Sequence, residues 1–483
     1  MSTTDAADGP ATTAAAEPAQ LRVIWLMLGA AFVVILNETI MGVAIPQLVV
    51  DLGITIAAAQ WLTTAFMLTM AVIIPITGFL IQRFTTRQIF IAAMTLFSIG
   101  TLVAGLAPGF ELLLAGRIVQ AGGTAMMMPL LMTTILTLVP ANSRGRFMGR
   151  ISIVMSVAPA LGPTISGAIL SLASWRFLFW LVLPIAVVML VIGARRIRNV
   201  GETRRAPIDL TSVVLSALGF GGLVYGLSLI GATGSGGATG AQMWVALGVG
   251  AVSIGAFVWR QLVLQRRDAA LLDLRIFRSR TFTIAISLMT MMMAAMFGTL
   301  ILLPIYLQNV LGLEPVVTGM LMLPGGLVMG LVAPTIGRLF DRYGPRPLVV
   351  PGSIVVSAAL WALATLTPET PPWLIVVAHV LLSTGLALMF TPLFTSALGS
   401  LAPALYSYGS AAVGAVQQVA GAAGTALFVT ILSARTVELS SAGADAITAE
   451  AGGIQTAFLI GAVLSLLVVV GAFFVRRPAT EPA

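Results

Sequence analysis

One carboxylate falls where the chain has least room for a charge. Glu38 sits in Leu36-Asn37-Glu38-Thr39-Ile40-Met41-Gly42-Val43-Ala44-Ile45-Pro46, the close of the first long apolar run, which begins after Arg22. At ~1.5 Å of rise per residue, in a hydrocarbon layer ~30 Å thick, it lies roughly two-thirds of the way across from Arg22. An ionised side chain there costs at least ~2.5 kcal/mol, so it must face a bundle interior or an aqueous cavity. In such a place it can take up and release a proton; the plainer alternative is a neutral acid hydrogen-bonded between helices. A second ionisable group, Arg117, heads Arg117-Ile118-Val119-Gln120-Ala121-Gly122-Gly123. Counted from Leu112 it is ~8 Å deep, similar to Glu38. Burial favours the protonated acid and a neighbouring guanidinium favours the carboxylate, so the pair has the chemistry of a proton exchanger. A static ion pair, or an Arg117 that reaches outward to headgroups, is the other reading.

His379 is the only histidine, about seven residues into its apolar run. It either titrates near neutrality or serves as a neutral hydrogen-bonded side chain. Gln60, Trp61, Gln308, Gln417 and Gln418 are further polar or amphipathic groups in apolar surroundings. Together with Asn37, Met127, His379 and Phe390 they supply the candidate lining of a substrate cavity, for which Asn37, Gln60, Trp61, Met127, Gln308, His379, Phe390 and Gln417 are chosen. Clusters such as Met126–Met128 are adaptable apolar surface and serve packing as readily as binding.

The elements that position these groups are membrane spans. The chain is 58% hydrophobic and only 9% charged over 483 residues, with mean hydropathy +1.04. A soluble protein carries roughly a quarter of its residues charged. Fourteen apolar runs of spanning length are read at 22–45, 58–81, 88–107, 111–138, 147–171, 176–194, 209–231, 243–264, 282–307, 316–337, 347–366, 373–397, 407–433 and 454–475. All 25 basic residues are Arg. Twenty-two fall in alternate connections beginning with the N-terminus and two, Arg176 and Arg435, on the other side. That bias places both termini in the cytoplasm, and the exclusive use of Arg over Lys points to the inner membrane of a bacterium. The net charge of +8 therefore reports topology and not a nucleic-acid partner. With no Cys, disulfides, thiolate metal sites and cysteine nucleophiles are excluded.

An internal repeat organises the spans. Gly78-Phe79-Leu80-Ile81-Gln82-Arg83-Phe84-Thr85-Thr86-Arg87 returns as Gly337-Arg338-Leu339-Phe340-Asp341-Arg342-Tyr343-Gly344-Pro345-Arg346, 259 residues on. Pro129 and Pro392 correspond at an offset of 263. Similar offsets imply two six-span halves around a central site, an arrangement suited to alternating access. The division expected is a disordered cytoplasmic tail at 1–20, a first half at 21–198, a linker with two extra spans at 199–281, a second half at 282–475 and a tail at 476–483. The connections 231–240 and 434–453 are read as external loops too small for a catalytic domain.

These motifs together resemble the major facilitator superfamily, in its fourteen-span drug:proton antiporter branch. Leu36–Pro46 resembles that branch's first-span signature, Leu-Asp-x-Thr followed by Val-Ala-Leu-Pro, with Asn37 for the usual Asp and the acid moved to Glu38. The shift turns the carboxylate by ~100° about the helix. The repeated loops resemble the gating motif Gly-x-Leu-x-Asp-Arg-x-Gly-Arg, implying a cytoplasmic latch from Gly78, Arg83, Arg87, Gly337, Asp341, Arg342 and Arg346. Gln82 departs from it where Asp341 keeps the acid. Two Arg residues in a short loop also serve orientation alone. Gly162-Pro163-Thr164-Ile165-Ser166-Gly167 resembles the antiporter signature Gly-Pro-x-x-Gly-Gly, with Ser166 for one Gly. Close packing around Gly162 and Gly167, and a bend at Pro163, suit a span that rocks.

The expectation is an all-α integral membrane protein of two six-helix halves plus two central spans. It would export amphipathic or cationic small molecules in exchange for protons, with Glu38 carrying the proton and Arg117 tuning it. The partners are the substrate, protons and the bilayer, and the chain is taken as a monomer. Export of an endogenous lipid or secondary metabolite is the runner-up. A polytopic enzyme or sensor is the remote alternative. No phosphate-cradling Gly-Lys-Ser/Thr loop is present, so ATP is not the energy source, and no catalytic residue, metal site or cofactor is expected.

Overall fold

The computed structural model describes residues 18–200, 208–232 and 240–476. The terminal tails as far as Glu17 and from Arg477, the linker stretch with Arg204 and Arg205, and residues 233–239 lie outside the described residues. Lipid offers no partner for backbone N–H and C=O groups, so an apolar chain crossing it must satisfy them internally, and helices do so. Among the described residues there are fourteen helices long and apolar enough to span, and no strand. They are α1 (Pro18–Leu52), α2 (Ile56–Arg83), α3 (Thr86–Leu106), α4 (Phe110–Leu138), α5 (Arg144–Leu170), α6 (Arg176–Arg196) and α7 (Leu210–Ala232). There follow α8 (Gly240–Leu264), α9 (Arg280–Ile305), α10 (Pro315–Tyr343), α11 (Arg346–Leu363), α12 (Pro372–Gly399), α13 (Tyr406–Ser441) and α14 (Ala446–Ala472).

Local sequence explains the helix limits. Thr55, Thr85, Ser279 and Asp445 accept the first free backbone N–H groups of α2, α3, α9 and α14. α10 stops at Gly344, whose φ of +83° a residue with a Cβ adopts only at a cost. One stretch differs from the sequence reading. The segment 434–453, expected as a loop, is helical except for a short link at 442–445, because α13 runs to Ser441 and α14 begins at Ala446. Arg435 and Glu438, three residues apart on that extension, pair at 2.6 Å on its exposed surface. Polar composition had hidden a helix that simply leaves the lipid.

Helices α1–α6 pack on one another and α9–α14 do likewise. Two seams join the groups, α5 against α10 and α2 against α13. Both are tightest at the face that carries the Arg-rich connections. A Cβ on Gly149 would stand 2.6 Å from the Ala333 carbonyl oxygen, and one on Gly145 2.6 Å from that of Gly337. The α5 and α10 backbones therefore touch, and only glycine fits. Gly78 of α2 abuts the Ser407 carbonyl of α13 in the same way, at 3.0 Å. Ser152 and Thr391 share a hydrogen bond of 2.7 Å across the bundle. Arg144, at the start of α5, lies over the Tyr406 ring at the start of α13, 5.3 Å from its centroid. Further from this face α5 turns to α1: Gly162 packs against Thr39, and Ser166 donates to the Ile40 carbonyl at 3.0 Å.

The remaining pair, α7 and α8, lies outside this arrangement. α7 rests on both α2 and α13, and α8 packs chiefly on α7. Trp244, Val252 and Trp259 of α8 are exposed, as side chains facing lipid are. Gly222 and Gly250 bring the two backbones into contact, with a Cβ on Gly222 meeting Gly250 Cα at 3.0 Å. Asp209 and Arg260 clamp the base of the pair through two bonds of 2.6 and 2.7 Å.

Candidate functional site

Position on α1 separates Asn37 from Glu38. Asn37, Met41, Ala44 and Leu48 recur at helical spacing and are all buried. Ile35, Glu38, Gly42 and Pro46 form the neighbouring strip, which grows more exposed away from the Arg-rich face. Asn37 thus points into the packing of α1 against α4, and Glu38 points along its edge.

Arg117 of α4 is 1% exposed, among the largest fully buried side chains in the molecule. A buried guanidinium demands partners. Its Nη1 donates to Asn37 Oδ1 at 3.2 Å and to Gln120 Oε1 at 2.7 Å. Gln120 passes the chain on, donating from Nε2 to Thr101 Oγ1 at 2.7 Å; Thr101 in turn donates to the Phe97 carbonyl at 2.6 Å. The Phe66 ring of α2 lies under the guanidinium, 4.1 Å from its carbon, a cation–π contact strengthened by exclusion of water. The Nε of Arg117 has no partner. Arg117 and Glu38 are electrostatic neighbours, yet no hydrogen bond or ion pair joins Glu38 to another described residue. The guanidinium is held by neutral amides and the carboxylate beside it is left unclaimed.

That division is what a one-residue shift of the acid produces. An Asp at position 37 would stand directly on Arg117 as a fixed ion pair. The Asn there supplies an acceptor without charge, and the charge sits one residue on, turned ~100° away. Burial and a neighbouring cation then act on Glu38 in opposition.

Residues of the repeated loop motif are found at the two seams. Asp341 of α10 accepts from the backbone N–H groups of Gly145 at 2.8 Å and Arg146 at 2.9 Å. These are orphan donors of the first turn of α5, where a carboxylate also meets the positive end of the helix dipole. Gly337, one turn back, lies against the Gly145 carbonyl. At the other seam Gln82 donates to the Ala404 carbonyl at 2.9 Å and to Ser407 Oγ at 3.0 Å. Arg83 and Arg342 lie over the adjoining Phe84 and Tyr343 rings, at 5.9 and 5.2 Å. Arg87 and Arg346 are exposed, Arg346 over Phe473. Gly162 meets Thr39 of α1, and Gly167 meets nothing; the Pro163 side chain lies outside those described.

The candidate cavity residues are scattered. Met127 and Phe390 are packed in the core, Phe390 against Phe394 with centroids 5.5 Å apart. Gln60 is exposed, and Trp61 stacks on Tyr225 of α7 at 5.7 Å. Gln308 is half-buried in a widened turn, Tyr306–Val310, that continues α9. Gln417 of α13 has a buried Nε2 without a partner. His379 of α12 reaches the Met322 backbone of α10 and presses on Gly325, with Nδ1 unpartnered. Only Asn37 among these eight is hydrogen-bonded to Arg117. Gln120, Thr101 and Phe66 complete the network and went unchosen. Gln120 had a signal, since three residues from Arg117 puts it on the same helix face.

A sequence model of the Major Facilitator Superfamily matches residues 27–425. The chain belongs to that superfamily, a family of membrane transporters and not of enzymes. It is 40% identical, over 94% of its length and 96% of the other's, to the lincomycin resistance protein LmrB of Listeria monocytogenes. It is 30% identical to a multidrug resistance protein B homolog of Mycobacterium tuberculosis, over 82% of this chain and 73% of that one. Among solved structures, the human organic anion transporter MFSD10 superposes with a TM-score of 0.67. That match covers 94% of this chain and all of the other at 14% identity, a likeness of fold.

Proposed function

We propose that this protein exports amphipathic or cationic drugs from a bacterial cell in exchange for protons, by alternating access between two six-helix halves. The observation that carries the reading is the half-buried, unclaimed carboxylate of Glu38 beside a guanidinium fixed by neutral groups. A carboxylate locked in an ion pair has no reason to cycle; one without a partner is free to bind a proton or a cation in turn. The names of the lincomycin and multidrug resistance relatives support a drug as the cargo.

The Arg-rich face is assigned to the cytoplasm on the positive-inside rule. The seams that close at that face then form the inner gate, with Asp341 and Gln82 as its fastenings. Protonation of Glu38 from outside displaces the cation, and the return to an inward-facing form releases the proton. Asn37 and Gln120 hold one end of the Arg117 guanidinium throughout. The test is proton-driven uptake into inverted vesicles. Glu38→Gln is expected to abolish uptake driven by a pH gradient while the protein folds and inserts normally. Full uptake by that variant would refute the role of Glu38.

A further inference from the structure

The two helices outside the repeat reach the site through one aromatic side chain. Phe220 of α7 packs against a cluster made by Phe66, Met70, Ile74, Ala121, Ala125 and Ala415. Phe66 is the ring beneath the Arg117 guanidinium. Behind Phe220, Phe257 of α8 meets it edge to face with centroids 6.3 Å apart. Phe257 is itself only 1% exposed. A packed apolar path thus runs from Phe257 of α8 through Phe220 of α7 and the cluster on α2, α4 and α13 to the ring beneath the cation.

The far end of that line is firmly built. Asp209 holds Arg260 through two hydrogen bonds, and Ser212 donates to the same carboxylate. Gln261 donates to Ser212 at 2.8 Å and accepts from the Leu271 and Leu272 backbones at 2.8 and 3.2 Å. The near end has slack. Arg117 is bonded through one terminal nitrogen, its Nε is free, and the ring face supplies its remaining support. The cluster also takes in Ala415 of α13, across the seam from α2. Movement at that seam is therefore felt at Phe66.

We infer that Phe220 is a positioning residue: by bracing the cluster that holds Phe66 beneath Arg117, it lets the α7–α8 pair set where that cation stands relative to Glu38. The added pair is then a buttress of the transport site as well as a lipid-facing flank. The inference rests on the role proposed for Glu38 and Arg117, and two readouts separate its failure from theirs.

The first readout is the pH profile of export by the full chain in proteoliposomes. Phe220→Ala is expected to shift the midpoint by about half a unit or more, and Phe220→Leu, which refills most of the volume, to restore it. An unchanged midpoint with only a lower turnover would overturn the inference, since loss of packing alone does that. The second readout needs no proton coupling. Melting temperatures of Phe220→Ala, Arg117→Gln and the double variant form a cycle. Sub-additive losses support the link between the two residues, and additive losses overturn it. A wild-type profile flat in pH sinks the proposed role of Glu38, and the melting cycle then decides the positioning role by itself.

Discussion

The two seams occupy corresponding places in the repeat yet are fastened by different chemistry. On α10, Asp341 brings a charge to two backbone N–H groups at the head of α5. On α2, Gln82 brings a neutral amide to a carbonyl and a hydroxyl at the head of α13. Hydrogen bonds with an ionised partner are worth ~1.5–3 kcal/mol net, against ~0.5–1.5 for neutral ones. The helix dipole adds ~0.3–1 kcal/mol to the first. Glycine lets the backbones meet at both seams, more closely at Gly145 and Gly149, 2.6 Å, than at Gly78, 3.0 Å, so fit and charge favour the same edge. The teaching is that, if the seams form the proposed gate, one side of it is bolted and the other merely closed. On this view the halves part first along α2 and α13, with α5 and α10 acting as the stiffer edge.

The strongest challenge to that view is Asp341→Asn, which keeps the shape and removes the charge. The closed form should lose ~1.4 kcal/mol or more, a tenfold change in the gate equilibrium. The chain has no cysteine, so a single thiol introduced as Ser156→Cys reports cleanly. Ser156 is buried on α5 and its hydroxyl bonds only to its own helix, at the Ser152 carbonyl. Labelling of that thiol by a membrane-permeant maleimide should rise about tenfold in the Asp341→Asn background. A smaller effect, about threefold, is expected for Gln82→Ala, which removes two neutral bonds. Equal labelling in the two backgrounds would show that charge is irrelevant and that glycine contact alone closes the seams.

Hydropathy and the Arg bias made the fourteen spans legible because both follow directly from transfer to lipid. Glu38 and Arg117 were legible for the same reason, as charges too costly to be incidental. Their division of labour was not. Whether Arg117 meets position 37 or 38 depends on the rotation of α1 against α4, which two-helix packing decides and a single sequence does not state. Phe66 and Thr101 gave no signal, since aromatic and hydroxyl side chains are ordinary in apolar helices. Asp341 was singled out by its motif, but the two N–H groups it holds at the head of α5 are backbone amides, and those carry no letter in the sequence. The helical extension after Ala434 was missed because polarity marks the exit from lipid and not the end of a helix.

A second carboxylate clamp tests whether place or charge gives Asp341 its effect. Asp209 carries a bidentate bond to Arg260 at the base of α7 and α8, joining neither α5 to α10 nor α2 to α13. Hydrogen bonds from Arg260 hold its carboxyl well below the usual carboxylate range, with Ser212 assisting and burial opposing. A depressed value in the folded state makes its contribution to stability complete above the unfolded pKa near ~3.9. The contribution is lost as pH falls through the folded value. Melting temperature should therefore decline more steeply below about pH 4 in the wild type than in Asp209→Asn. At neutral pH the variant should melt lower than the wild type, yet label at Ser156→Cys no faster. Faster labelling would mean that α7 and α8 help to close the gate, and the contrast between the two seams would then have to be redrawn with the added pair as a third fastening.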